Sequence, residues 1–103
     1  MHKQTKETNI KPNTLKEVEQ RDSIDGCPCC IICGNPNARG WCHFISRKQG
    51  GKGIKENLWT GCQKCHNEYD STKHDEHGVK IEAHLRGHYR DWDKEKLVYN
   101  KWS

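Results

Sequence analysis

Four cysteines in two tight pairs, Cys30-Ile31-Ile32-Cys33 and Cys62-Gln63-Lys64-Cys65, have the C-x2-C…C-x2-C spacing that lets two turns present four thiolates to one tetrahedral Zn²⁺. Such a site is closed. Four protein ligands leave no position for water or substrate, so the ion holds the fold and performs no Lewis-acid chemistry. Its apparent binding free energy, on the order of 10 kcal/mol, is also folding free energy. The upstream pair has a rival, because Cys27-Pro28-Cys29-Cys30 offers Cys27 and Cys30 at slightly longer spacing. Gly34, directly after Cys33, favours Cys30 and Cys33: a glycine there allows the positive φ that turns backbone N–H groups toward the sulfurs, whereas Ile31 after Cys30 resists it. Cys27, Cys29 and Cys42 are then spare thiols or small, partly buried hydrophobes. Between the pairs, the stretch WCHFISRKQGGKGIKENLWTGCQKCH gathers Cys, His and Asn side chains around a glycine-rich middle.

The bulk properties explain why a metal is needed. A chain of 103 residues, 31% of them hydrophobic and with a mean hydropathy of −1.17, is one domain at most and cannot bury a large apolar core. No apolar run resembles a signal peptide or a membrane span, and Met1-His2-Lys3-Gln4-Thr5-Lys6 is polar throughout. An intracellular chain with an odd count of seven cysteines uses them for metal rather than for a disulfide framework. The net charge of +4 suits a nucleic-acid partner without requiring one. Four thiolates and one dication together remove two units of that charge, so phosphate affinity must come from local placement.

The elements that position these residues can be read coarsely. Residues 1–13 are polar and Lys-rich, Pro12 would end a helix passing through it, and the segment reads as a flexible basic arm. Thr14-Leu15-Lys16-Glu17 has capping-box spacing, predicting a helix over 15–22 with Leu15 and Val18 inward. Alternation of Trp41, His43, Ile45 and Arg47 against Cys42, Phe44 and Ser46 predicts a strand. Residues 50–53 form a loop, 56–60 an antiparallel second strand and 63–73 a helix. A further helix over 79–89 places Val79, Ala83 and Gly87 on one row and Ile81 and Leu85 on another, and Asp91 or Asp93 caps a last short helix through Leu97 and Tyr99. The division is an arm (1–13), a core (14–77) and a C-terminal helical extension (78–103).

Cys30-x2-Cys33-Gly34, His43-Phe44-Ile45-Ser46-Arg47, Gly50-Gly51-x-Gly53, Glu56-Asn57-Leu58 and Cys62-x2-Cys65-His66 together resemble the HNH endonucleases, particularly the small HNH proteins of bacteriophages. The likeness covers residues 21–70, and the tail over 80–102 is similar in character only. It implies a small α+β, zinc-stabilised ββα-metal (His-Me finger) domain with flanking helices. The implied activity is metal-dependent hydrolysis of DNA phosphodiester bonds, by nicking or double-strand cutting, leaving 5′-phosphate and 3′-hydroxyl ends. It further implies phage DNA processing or packaging beside a terminase, in the cytoplasm of a bacterial host.

Within that resemblance His43, Asn57 and His66 are the catalytic residues. His43 is the general base, because a neutral imidazole can take a proton from water at physiological pH once its orientation is fixed. Asn57 orients that ring or braces the metal loop. His66 is a metal ligand, and Asp70, four residues on, projects from the same helical face and can share the ion. Oxygen ligands suit Mg²⁺ or Mn²⁺, the first expectations, while imidazole also suits Ni²⁺ or Zn²⁺. Cys42 stands where an acid or a second histidine is usual. It is a further ligand if it faces the metal, although strand alternation turns it away from His43 and leaves the ion chiefly to His66 and Asp70.

Each residue also has a plainer reading. His66 could cap a helix or complete a three-cysteine, one-histidine site, His43 could be packing, and Asn57 could be a turn residue. Glu68, His74, Asp75 and His77 lead into a charge-mixed tract and are left out of the site. Arg47 follows the base on its strand face and can bind a phosphate beside the cut; Lys48, Lys52 and Lys55 surround the loop and can track a groove edge. No base-reading helix is recognisable, so readout by shape and backbone is expected. The alternative from another class is a non-catalytic zinc-binding module that binds nucleic acid or protein.

Overall fold

A computed structural model describes residues 9–98 of the chain. Most of the proposed basic arm, and Tyr99 in the last predicted helix, lie outside them. Helix α1 spans Pro12–Arg21, with Lys11 as a cap that makes no side-chain hydrogen bond. It therefore starts three residues before the expected point, and Thr14 is not its cap. The physical reason is that proline suits the first helical position, where its missing N–H would have no partner and its φ is already helical. Val18 is fully buried, as expected from the sequence.

Two short strands, β1 (Ser23–Ile24) and β2 (Cys27–Pro28), pair antiparallel across the Asp25-Gly26 turn. The central hairpin pairs β3 (Arg39–His43) with β4 (Leu58–Gly61), placing Cys42 opposite Trp59 and His43 opposite Leu58, with an extra residue in β3 between Arg39 and Cys42. Both strands are shorter than the alternation suggests. Beyond Phe44 the ladder is replaced by side-chain bonds from Asn57, and Ser46 caps a 3-10 turn over Arg47–Gln49 by accepting from Gln49 N at 3.3 Å. A second 3-10 turn, Lys55–Asn57, leads into β4.

Helix α2 (Gln63–Tyr69) follows β4 directly, and α3 (His74–His88) packs against it. Helix α3 begins five residues before the predicted start and runs across residue 78. Of its two rows, Ile81 and Leu85 are fully buried, while Val79 is 72% exposed and Ala83 and Gly87 face solvent. The core joins Cys42, Phe44, Trp59, Tyr69, Ile81, Leu85, Trp92 and Leu97 in one apolar cluster. Asp93 caps the last turn, Lys94–Leu97, by accepting from Glu95 N at 3.0 Å. The molecule is thus a small α+β fold with an antiparallel hairpin followed by a helix. No helix among the described residues is long and apolar enough to cross a membrane.

Candidate metal centre and active-site cleft

The Sγ atoms of Cys30, Cys33, Cys62 and Cys65 lie within 4.8 Å of one another, and Cys33 and Cys62 are 3.6 Å apart. Sulfurs about 2.3 Å from a tetrahedral zinc sit about 3.8 Å from each other, so this donor set fits the ion. The local backbone explains the convergence. Gly34 adopts φ +81° and donates its N–H to Cys30 O at 2.8 Å, closing the first knuckle as its position after Cys33 predicts. Ile31 N–H donates to Thr60 O at 3.0 Å, tying that knuckle to β4. Cys62 caps α2, its sulfur accepting from Cys65 N at 3.5 Å. Burial pushes the Cys30 thiol up, but the backbone N–H groups of Cys33, Cys62 and Ile32 outweigh it and bring the value to about 7, toward the thiolate that zinc takes. Cys29 and Cys27 stand apart, the Cys29 thiol donating to Cys27 O at 3.2 Å.

At the other end of β3, His43 is half-buried and lines a cleft of about 400 Å³. Lys48, Asp70 and His74 line it too. The predicted base and one predicted metal ligand, 27 positions apart in sequence, therefore face one space. Asp70 follows the last turn of α2 and lies 3.3 Å from Nε2 of His66. Two donors about 2.1 Å from a hard divalent ion at right angles are about 3.0 Å apart, so the pair can share an ion with little movement. Nδ1 of His66 is buried without a hydrogen-bond partner among the described residues. The donor clusters of three or more among those residues are the four cysteines, Asp22 with His84 and His88, and Cys65 with Glu68 and His77, so a cleft ion would complete its shell with water and phosphate oxygens.

Asn57 is fully buried beneath this cleft. Its Oδ1 accepts from Ile45 N at 2.8 Å, and its Nδ2 donates to Ile45 O at 3.1 Å and Lys52 O at 2.9 Å. Its own carbonyl accepts from Phe44 N at 2.7 Å. These bonds brace the loop that follows His43. Gly51 completes the brace, because a Cβ there would collide with Ile45 O.

Cys42 is 1% exposed and packs in the apolar core. Burial first, then the charges of Cys30 and Asp70, push its thiol up to about 12. Cys42 thus packs as a core residue, on the buried face that the strand alternation gives it.

The basic residues divide. Lys48 lines the cleft. Arg47 is exposed and donates to Asn9 Oδ1 at 2.6 Å, and Lys52 is tied through its backbone to Leu97. Lys55 lies 3.0 Å from Glu17 and over the Tyr89 ring, so the surface of the fold already occupies it.

Two features lie outside what the sequence reading placed in the site. One is a buried hub at Asp22, whose carboxylate accepts from Arg21 twice, from Thr60 N at 3.0 Å and from His84 Nε2 at 2.7 Å, joining α1, β4 and α3. The other is His74, set aside with the charged tract, which the α2–α3 corner brings to the cleft. A histidine eight positions after His66 was the available clue.

The family model for HNH endonuclease matches residues 30–72, from the first zinc-type cysteine to just beyond Asp70. No curated protein and no solved structure matches the chain. The matched stretch contains the four clustered cysteines, the hairpin carrying His43 and Asn57, and the helix carrying His66, and over these residues the chain is similar to the HNH endonucleases, a family of nucleases.

Proposed function

We propose that this chain is a metal-dependent DNA endonuclease in which His43 activates water. The observation that carries the reading is the shared cleft: His43 on β3 and Asp70 after α2 face the same space, with His66 3.3 Å from Asp70 and Lys48 on the rim. His43 takes a proton from water as the water oxygen bonds to phosphorus and the P–O3′ bond breaks; the leaving oxygen takes a proton from solvent to give the 3′-hydroxyl, and the phosphate stays on the 5′ side. Asp70 and His66 would hold a Mg²⁺ or Mn²⁺ ion, which when bound supplies positive charge to the scissile phosphate. Lys48 and Arg47 add charge from the protein, and Asn57 keeps the loop in place. The four-cysteine zinc is structural. The proposed setting, phage DNA processing beside a terminase, rests on the resemblance to small phage HNH proteins alone.

Supercoiled plasmid incubated with the zinc-loaded protein and Mg²⁺, Mn²⁺ or Ni²⁺ should be nicked, with EDTA abolishing the reaction. His43→Ala should lower the rate roughly a hundredfold or more while leaving the fold and DNA binding intact. Folded wild-type protein that nicks in none of these metals would sink the nuclease reading in favour of a non-catalytic zinc module.

A further inference from the structure

The sequence pattern leaves the cleft short of metal ligands, since Cys42 is turned into the core. His74 lies just past the matched stretch, at the first position of α3. Its ring stacks on Tyr69, with centroids 4.6 Å apart and planes at 18°, and its Nδ1 is 2.9 Å from Tyr69 O. A carbonyl oxygen only accepts, so Nδ1 carries the proton, and in the neutral ring Nε2 on the far edge keeps its lone pair. Nε2 makes no hydrogen bond among the described residues. The platform beneath is rigid: Tyr69 is 4% exposed, and its hydroxyl donates to Phe44 O at 2.6 Å, one residue from His43. His74 is thereby held on the wall of the cleft that Asp70, Lys48 and His43 line.

A histidine whose one N–H is fixed by a backbone carbonyl, and whose other nitrogen is left bare on the wall of an open cleft that Asp70 also lines, has the arrangement by which proteins orient metal-ligating imidazoles. We propose that His74, through Nε2, ligates the divalent ion of this cleft together with Asp70, an inference that rests on the nuclease reading and adds a ligand to it. One more imidazole favours Mn²⁺ or a softer divalent ion over Mg²⁺.

Mn²⁺ titrated into the zinc-loaded full chain tests this without DNA, by calorimetry and by broadening of the His74 ring resonances in NMR spectra. The His74 ring signals should broaden beyond detection at substoichiometric Mn²⁺. His74→Phe keeps a ring on Tyr69 but removes the nitrogen, and should weaken Mn²⁺ binding by roughly 10- to 100-fold with zinc content unchanged. Unaltered Mn²⁺ affinity in His74→Phe, His74 signals untouched by bound Mn²⁺, or no Mn²⁺ binding by the wild type would each overturn the proposal. The nuclease reading is scored separately by plasmid nicking. Nicking with His74 uninvolved sinks this inference alone, whereas Mn²⁺ bound through His74 without nicking sinks the nuclease reading alone.

Discussion

Asn57 grips the Ile45 backbone on both sides of its Cα, accepting from its N–H at 2.8 Å and donating to its carbonyl at 3.1 Å. The side chain thus does the work of a missing strand neighbour, and it does so two residues after His43. Asn57→Ala leaves three backbone groups at a buried site without partners, each costing about 1–3 kcal/mol. The variant should be at least about 2 kcal/mol less stable in urea unfolding, and at temperatures where it stays folded its nicking rate should fall through a displaced loop. Unchanged stability would mean that water replaces the amide.

The zinc cluster predicts a sharp division among the seven cysteines. Cys62→Ser removes both a ligand and the cap of α2, and should release zinc and unfold the chain. Cys27→Ser and Cys29→Ser should retain zinc in full, because neither sulfur belongs to the cluster. Metal analysis of the purified variants checks this, and zinc loss from either of the latter two would overturn the ligand set.

Cys42 should behave as a buried neutral thiol. Its value of about 12 means that almost no thiolate forms at pH 7.5, and 1% exposure blocks access as well. Iodoacetamide followed by peptide mass spectrometry should label exposed Cys27 in the folded protein, and Cys42 only after denaturation. Rapid labelling of Cys42 under native conditions would place it toward the cleft instead.

Asp22 makes part of the stability dependent on pH. Burial alone would raise its carboxyl, but the hydrogen bonds from His84 and Arg21 prevail and hold it well below the usual carboxylate range. A depressed folded-state value stabilises the native protein above the ordinary carboxylate pKa of about 3.9, and that contribution is lost as pH falls below it. Asp22→Asn should therefore be about 3 kcal/mol less stable than wild type at pH 7, since it strands Arg21 beside a neutral amide. The gap between the two urea midpoints should narrow below about pH 4.

The lysines proposed to contact DNA should not contribute equally. Lys48 lines the cleft, whereas Lys55 is engaged by Glu17 at 3.0 Å. Lys48→Ala should weaken DNA binding and reduce the slope of log affinity against log salt by about 1, while Lys55→Ala should change little. Equal effects in fluorescence anisotropy would show that the Glu17 pairing yields to DNA.

Local spacing was enough to identify what depends on neighbouring residues. Two C-x2-C knuckles, the glycine after the first, the alternation that turns Cys42 away from His43, and the i, i+4 pair His66 and Asp70 are all consequences of turn, strand and helix periods, so their geometry is implicit in the letters. Tertiary structure decided whatever depends on two segments meeting. Asn57 braces the Ile45 backbone because the hairpin brings that residue under its amide, and past Phe44 the amide takes the place of a strand ladder. His74 reaches the cleft because the corner after α2 stacks it on Tyr69, and Asp22 meets His84 across 62 positions. Such contacts follow from how faces pack, and charge patterning along one chain carries no record of which distant polar group will satisfy another.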